Sequence, residues 1–164
     1  MKVEVRKARL KDVPEVIKLW KEFMKDHDKI VLARNKKLKP YLEKRKDAPK
    51  SMERYIKGII RSRNGGVYIA EVDREPAGFT IFWINKNPPV YKILKVGYVT
   101  DIFIKKQFRG LGISTQFRKI FTKFFKDKGI KHISMSVFPE NKKALSIYHR
   151  WGYFDYQISV RKKI

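Results

Sequence analysis

The chain has 164 residues, and 40 lysines and arginines against 16 aspartates and glutamates give it a formal net charge of +24. It has no cysteine, which excludes disulfides, thiolate zinc sites and a cysteine nucleophile, and its three scattered histidines argue against any metal site. The length predicts one domain over residues 1–164. No apolar run could span a membrane and residues 1–5 lack the apolar core of a secretory signal, so we expect a cytoplasmic protein.

The hydrophobic periodicity and the turn residues predict the element order β-α-α-β-β-β-α-β-α-β. The predicted strands are residues 2–8, 67–72, 77–84, 91–104, 132–138 and 153–161. The predicted helices are one that Asp12 caps, one over 51–63, one from a glycine turn to about residue 128, and one over 141–151. The polar stretch 34–50 is a loop or a frayed helix, with eight basic residues against two acids.

Two of the strands, 91–104 and 132–138, are joined by a long helix, and a crossover of that length predicts that they run parallel. Ligands of such sheets bind beyond the carboxyl ends of parallel strands. We therefore expect a ligand cleft where strand 91–104 ends.

The turn at that end reads Gln107-Phe108-Arg109-Gly110-Leu111-Gly112 and leads directly into a helix. Glycines permit a tight turn and a close approach to a ligand, and a helix N-terminus presents free N–H groups and a positive dipole end. The turn therefore predicts a phosphate or pyrophosphate site. The Lys-Ser/Thr of a P-loop is absent, and Thr115 stands where a dinucleotide fingerprint has its third glycine.

Gln107, Gly110 and Gly112 fit the pattern Gln/Arg-x-x-Gly-x-Gly/Ala, which resembles motif A of the GCN5-related N-acetyltransferase (GNAT) superfamily. Residues 141–153, Asn-Lys-Lys-Ala-Leu-Ser-Ile-Tyr-His-Arg-Trp-Gly-Tyr, resemble its motif B at the usual distance, and the element order also matches. The resemblance implies an α/β GNAT fold. Its central sheet is mixed and mostly antiparallel, with a splayed parallel strand pair and helices on both faces.

By this resemblance the cofactor is acetyl-CoA, with no metal. Amides from Arg109 to Ser114 would bind the pyrophosphate, and the exposed backbone at the end of strand 91–104 would pair with pantetheine as an added strand. Asn141 is either a cofactor contact or only a helix N-cap. The residues assigned to the cofactor are Ile102, Phe103, Ile104, Gln107, Arg109, Gly110, Leu111, Gly112, Ile113, Ser114, Asn141 and Tyr148.

Tyr148 and Asp101 are the candidate catalytic residues. The resemblance gives Tyr148 the role of the acid that protonates the leaving thiolate, and the alternative is a core aromatic. Residues 99–104 resemble a run in diamine and polyamine acetyltransferases, with Thr100 in place of a glutamate. There Asp101 would hold the substrate ammonium or accept its proton through water, unless it forms a buried ion pair with lysine or arginine. Tyr98 and Glu71 are lesser candidates for the base.

The sequence thus indicates an N-acetyltransferase that moves the acetyl group of acetyl-CoA to a primary amine on a small molecule, peptide or protein. The amine attacks the thioester directly, and a backbone N–H of the splayed strand stabilises the oxyanion. The alternative is a basic RNA- or ribosome-binding module on a GNAT scaffold with little or no catalysis. The charge favours partners such as acidic protein, ribosome or RNA and disfavours polyamines. The alternative is a lysine-rich surface of a thermophile protein, although such surfaces usually balance lysine with glutamate. No membrane partner is indicated, and a homodimer is among the expected assemblies.

Overall fold

The computed structural model describes all 164 residues and contains one five-stranded sheet in the order β1-β2-β3-β4-β5. Neighbouring strands are antiparallel except β4 and β5, which are parallel. The predicted mixed sheet with one parallel pair is therefore confirmed. The strands are β1 (Val3–Lys7), β2 (Gly65–Val72), β3 (Glu75–Lys86), β4 (Lys95–Ile104) and β5 (Ile133–Met135).

Helices cover both faces of the sheet. They are α1 (Val13–Leu32), α2 (Lys39–Leu42), α3 (Ala48–Arg61), α4 (Ile113–Asp127) and α5 (Lys142–Arg150), with short 3-10 turns at 10–12, 36–38 and 106–108. On one face, α1 and α3 pack on Phe79, Ile81 and Phe103. On the other, phenylalanines of α4 pack on Phe82. Each strand of the sheet's centre thus contributes alternate side chains to two separate cores.

Local chemistry explains several of the connections. Asp73 and Arg74 both have positive φ, as a tight hairpin between β2 and β3 requires. Pro14 lies in the first turn of α1, where its missing N–H costs nothing. Asp12 precedes α1 as predicted, but its carboxylate accepts hydrogen bonds from the Arg6 side chain and the Arg9 amide instead of the helix amides.

Some predicted boundaries differ from the structure. Strand β4 begins at Lys95, since residues 91–94 are exposed and form part of the turn after the Pro88-Pro89 break, and α3 begins at Ala48. Strand β5 holds only the first part of the predicted strand 132–138. The predicted last strand, 153–161, is wrong: these residues form no strand, because after Tyr153 none of them makes a backbone hydrogen bond to a neighbouring strand. None of the helices has the length and apolarity that crossing a membrane requires.

Candidate functional site

The functional cleft begins where β4 and β5 separate. The two strands pair over only three residues, Gly97–Val99 of β4 with Ile133–Met135 of β5. A β-bulge opposite Ile81 and Phe82 leaves Thr100 without a register partner on β3. Beyond it, no backbone hydrogen bond joins β4 to β5, so no strand lies beside the edge of Ile102, Phe103 and Ile104 that faces away from β3, where only the Ile104 carbonyl is occupied, by the Arg109 side chain. This edge can pair with an extended ligand.

The glycine turn lies at the end of that free edge. Gly110 and Gly112 have φ of +86° and +78°, a backbone conformation that side chains with a Cβ rarely adopt. Gly112 is the N-cap of α4, and Gln116 is the first residue whose amide bonds inside the helix, to the Gly112 carbonyl. The amides of Ile113 and Ser114 are therefore unpaired and directed towards the turn, as an anion site requires.

The other predicted members of the turn occupy different environments. Gln107 is exposed in the 106–108 turn, Leu111 is half-buried against the α4 core, and Ile113 is fully buried in it. The Arg109 amide already bonds to the Lys106 carbonyl. Within the predicted run 109–114, the amides of Gly110 to Ser114 are thus free to meet an anion.

The Arg109 side chain is committed to the protein. Its guanidinium donates to Asp26 of α1 at 2.9 Å and to the Ile104 carbonyl at 3.0 Å, and Lys106 pairs with the same Asp26 at 2.9 Å. These two cations hold the pKa of Asp26 below its ordinary value, although its burial acts in the opposite direction. Asp26 therefore fastens α1 to the β4 side of the cleft and neutralises part of the turn's charge.

Beyond its C-terminus, α1 leads into a second bridge, to the other side of the cleft. Arg34 donates to the Glu140 carbonyl at 3.1 Å, and Asn35 donates to the Glu140 carboxylate at 2.9 Å. Glu140 lies in the loop between β5 and α5. Helix α1 and the short segment after it, through Arg34 and Asn35, thus tie both sides of the splayed strands together.

Asp101 lies on β4 immediately after the bulge, and its carboxylate accepts a hydrogen bond from the Thr100 hydroxyl at 2.8 Å. No lysine or arginine pairs with it, so the predicted alternative of a buried ion pair is absent. Burial raises the pKa of Asp101 to about 6, against the lowering effects of the Thr100 hydrogen bond and of His27. Such a carboxyl group exchanges protons near neutral pH.

Tyr148 lies on α5, with its ring 5.8 Å from that of Trp151 and 6.3 Å from that of Tyr153. Its hydroxyl has no hydrogen-bond partner within the chain. Burial and the nearby negative charge of Asp101 raise the pKa of Tyr148, which keeps the hydroxyl protonated at neutral pH. The structure therefore brings the two candidate catalytic residues into electrostatic contact.

Asn141 serves as the N-cap of α5, since its side-chain oxygen accepts the Ala144 amide at 3.2 Å. The cap leaves the side-chain NH2 group without a partner in the protein. Both interpretations of Asn141 remain compatible with its position, because capping uses the oxygen and a ligand contact would use the nitrogen.

Two aromatic residues that the sequence analysis did not single out, Tyr55 and Trp83, border the Asp101 end of the cleft together with Tyr98. Tyr55 of α3 contacts Trp83 of β3 edge to face at 5.6 Å, and Trp83 contacts Tyr98 of β4 at 5.2 Å. Tyr98 donates or accepts a hydrogen bond with Ser136 at 2.8 Å, across the separating strands. Burial raises the pKa of Tyr55 above its usual range, and Asp101 adds to the effect.

His27 of α1 closes the same end of the cleft. Its ring lies 5.2 Å from that of Phe138, just after β5, and close enough to Asp101 to lower that residue's pKa. The sequence offers one signal for this role, a histidine on the apolar side of α1. A histidine in that position cannot be distinguished from a core residue until the fold places α1 over β4.

Comparison with known proteins finds a family model and relatives that match this sequence. A family model described as "Acetyltransferase (GNAT) family" matches residues 20–153. An uncharacterized N-acetyltransferase of Methanocaldococcus jannaschii is 28% identical over 104 residues, 63% of this chain and 46% of that protein, so the chain spans under half of that relative's length. The thialysine N-epsilon-acetyltransferase of Caenorhabditis elegans is 27% identical over 111 residues, 68% of each chain.

Among solved structures, a predicted acetyltransferase of Clostridium acetobutylicum, crystallised with acetyl-CoA, superposes with a TM-score of 0.77 at 20% identity. The match covers 99% of this chain and 96% of that one. The likeness establishes a shared fold over essentially the whole chain.

We expect Thr100→Val to raise the pKa of Asp101 above its value of about 6, because the lost hydroxyl donates to the charged carboxylate and so favours ionisation. Carbon-detected NMR titration of the aspartate carboxyls measures this directly. Thr80→Val is the control, since Thr80 donates to the Asp101 main-chain carbonyl only. An unchanged or lower Asp101 pKa in Thr100→Val would contradict the assignment of this hydrogen bond.

Proposed function

The chain belongs to the acetyltransferase (GNAT) family, and on this premise we propose that it transfers the acetyl group of acetyl-CoA to a primary amine. The observation that carries the proposal is that Asp101, at the point where β4 and β5 separate, is near enough to Tyr148 for its negative charge to raise the pKa of the tyrosine. One is a carboxyl group with a pKa near neutrality and no cationic partner, and the other is a phenol held in its protonated form.

The residues of the cleft fit the acyl donor. The free edge of β4 offers main-chain N–H and C=O groups to the amide-containing pantetheine arm, and the unpaired amides at the start of α4 suit its pyrophosphate. A Cβ built at Gly110 or Gly112 would meet no atom within 4 Å, so the turn is open to a ligand. When bound, acetyl-CoA supplies an acetyl group activated as a thioester.

Asp101 supplies the base. An alkylammonium must lose a proton before its nitrogen can attack, and a carboxylate with a pKa of about 6 is ionised at pH 7 yet basic enough to take up that proton directly or through water. Thr100 keeps the carboxylate oriented, and the absence of a lysine or arginine partner leaves its charge available to the acceptor.

Tyr148 supplies the acid. Departure of a thiolate is easier when a donor protonates the sulfur, and the raised pKa of Tyr148 ensures that its hydroxyl carries the proton. Tyr148 lies on α5, which follows β5 and the loop of Asn141, whereas Asp101 lies on β4. The acid and the base therefore come from different elements of the site.

The acceptor pocket favours an alkylamine. Tyr55, Trp83 and Tyr98 provide aromatic edges and faces against which a methylene chain or an ammonium group packs, with Asp101 next to them. The Caenorhabditis elegans relative, a thialysine N-epsilon-acetyltransferase, is named for an acceptor of this type. We extend this acceptor class, an amine at the end of a short alkyl chain, to the present protein.

The net charge of +24 limits the kind of molecule that can bring this amine to the site. Such a field repels polyamines and attracts amines on anionic carriers, such as acidic peptides or proteins. The same charge supports the second candidate, an RNA- or ribosome-binding module with weak catalysis. Steep salt-dependent RNA binding without turnover of acetyl-CoA would favour that second candidate.

We expect Gly112→Ala to weaken binding of CoA, because alanine is strained at a φ of +78° and a relaxed turn misdirects the first amides of α4. Isothermal titration calorimetry should detect a loss of about 10-fold, which corresponds to the roughly 1.4 kcal/mol expected from one strained position. Gly129→Ala, with a similar φ of +72° far from the turn, is the matched control and should bind CoA normally. Equal affinities in the two variants would refute the turn's role.

For Tyr148→Phe we expect turnover to fall at least ~10-fold, the lower end of what an acid–base group contributes, with unchanged CoA affinity because the ring remains. Stopped-time thiol release with saturating substrates gives turnover, and calorimetry gives affinity. Tyr153→Phe removes a hydroxyl from the neighbouring ring and should be neutral. Normal turnover in Tyr148→Phe would reject its role as the acid.

The transferase proposal itself is tested by thiol release from acetyl-CoA across primary amines, including lysine analogues and short acidic peptides. For an accepted amine, the plot of log kcat/KM against pH should become steeper by one unit of slope below pH about 6, because Asp101 becomes protonated there. Asp101→Asn should be slower and should lack this change of slope. Asp127→Asn, an exposed carboxylate on α4, controls for the loss of charge. If none of the amines gives thiol release, the conclusion moves to the binding module.

A further inference from the structure

The loop between β3 and β4, residues 87–94 and named here the hairpin tip, presents a contiguous apolar surface to solvent. It reads Asn-Pro-Pro-Val-Tyr-Lys-Ile-Leu. Val90 and Tyr91 are 83% and 59% exposed, and Ile93 and Leu94 are 42% and 56% exposed. Single exposed apolar residues are normal on a protein surface, whereas a contiguous group of them marks an interaction surface.

The hairpin tip is an ordered loop. The Asn87 amide donates to the Leu94 carbonyl and the Asn87 side chain donates to the Ile93 carbonyl, both at 2.9 Å. The Tyr91 amide donates to the Pro88 carbonyl at 3.2 Å, and the proline pair restricts the backbone. These bonds hold the apolar side chains in a fixed loop outside the core.

The charge of the hairpin tip and its flanks is uniformly positive. No acidic residue occurs between Glu75 and Asp101, a stretch that contains Lys86, Lys92 and Lys95. Lys86 and Lys95 form the last register pair of β3 and β4, directly behind the tip. None of the three lysines forms a salt bridge, so their charges are uncommitted.

Two neighbouring segments add further cations at this end of the sheet. The Ile84 amide donates to the Asn64 carbonyl at 2.7 Å, which brings the end of α3 beside the hairpin. On the other side, the Gly97 amide donates to the His132 carbonyl at 2.8 Å. The exposed cations around the tip, named here the basic ring, are Arg61, Arg63, Lys86, Lys92, Lys95 and Lys131.

The tip and its basic ring lie far from the glycine turn. Strand β4 has ten residues and runs from the hairpin tip towards that turn, a distance of roughly 30 Å. A partner bound at the tip therefore leaves the mouth of the cleft open.

An apolar tip within a basic ring has the chemistry of a protein segment that binds an anionic lipid surface. Such binding combines burial of apolar area among the lipids with attraction between cations and anionic headgroups. Tyrosine is favoured at the membrane–water interface, and a lysine such as Lys92 can extend its ammonium to the headgroups while its methylene chain is buried.

Other polyanions fit the hairpin tip less well. RNA would pair with the cations and stack on Tyr91, but it offers nothing apolar to the aliphatic side chains. Those side chains are exposed at consecutive positions, Val90 with Tyr91 and Ile93 with Leu94. A fluid bilayer surrounds such a loop on all sides, whereas a protein partner would need a cavity shaped to receive it.

We propose that the hairpin tip inserts into the surface of an anionic lipid bilayer, with the basic ring at the level of the headgroups. The sequence alone indicated no membrane partner because it contains no span. Surface binding needs a loop and not a span, so the lack of a spanning helix is compatible with it. The inserted loop holds the protein with the glycine turn directed away from the lipid.

Co-sedimentation with vesicles of phosphatidylcholine and phosphatidylglycerol in equal parts tests the basic ring. The combined change Lys86→Gln, Lys92→Gln and Lys95→Gln should weaken binding at least ~10-fold, since each lysine near an anionic surface contributes about five-fold. The matched control replaces three exposed lysines after α1 in the same way, Lys36→Gln, Lys37→Gln and Lys39→Gln, and should bind as the parent chain does. Equal weakening in the two variants, or a parent chain that does not bind the vesicles, would overturn the proposal.

Insertion is distinguished from electrostatic adsorption by an environment-sensitive fluorophore on Val90→Cys, which is the only cysteine of that variant. With the mixed vesicles, its emission should rise several-fold and shift to shorter wavelength, and a nitroxide-labelled lipid should quench it. The same fluorophore on Ala33→Cys, an exposed site at the end of α1, should not change. Since Val90 is 83% exposed, its replacement leaves the core intact.

Three results at residue 90 would overturn insertion into lipid. Vesicle binding without a change of emission would show adsorption by charge alone. The same emission change with polyglutamate or RNA in place of vesicles would show that the tip binds a soluble polyanion. The same change on raising the protein concentration alone would show contact between copies of the chain.

Discussion

The site depends on the early separation of two parallel strands. After three paired residues, β4 and β5 diverge, and the bulge at Thr100 turns the rest of β4 so that its outer edge has no strand beside it. Unpaired backbone groups are costly unless water or a ligand satisfies them. This single departure from a regular sheet creates the cleft, exposes a strand edge to a ligand, and places Asp101 on one side and the loop of Asn141 on the other.

Helix α1 and the residues after it hold the two sides of the separated strands together. Its Asp26 holds Lys106 and Arg109 on the β4 side, and the residues that follow it hold Glu140 on the β5 side. The arrangement has an electrostatic consequence. Because Arg109 is occupied by Asp26 and the Ile104 carbonyl, the anion site relies on backbone amides and the dipole of α4 more than on side-chain charge.

Signals that are local in sequence predicted much of this structure. The turn of Gly110 and Gly112, the amphipathic helices and the mixed sheet depend on neighbouring residues or on short offsets, and they were found. The aromatic residues near Asp101 were not predicted because Tyr55, Trp83 and His27 come from three separate elements, and each alone resembles a core residue. The strand predicted at 153–161 failed for a related reason: alternation reports that a segment can form a strand, whereas pairing needs an edge within reach.

Asp101 shows how local environment can outweigh the field of the whole molecule. A net charge of +24 should favour the ionised carboxylate and lower its pKa, yet exposed charges are screened beyond roughly 10 Å, and no lysine or arginine approaches this group. Desolvation therefore dominates, and the pKa rises to about 6. Under the proposed function, this carboxylate would offer an incoming ammonium an uncommitted charge at short range, and the surface charge would favour an anionic carrier at long range.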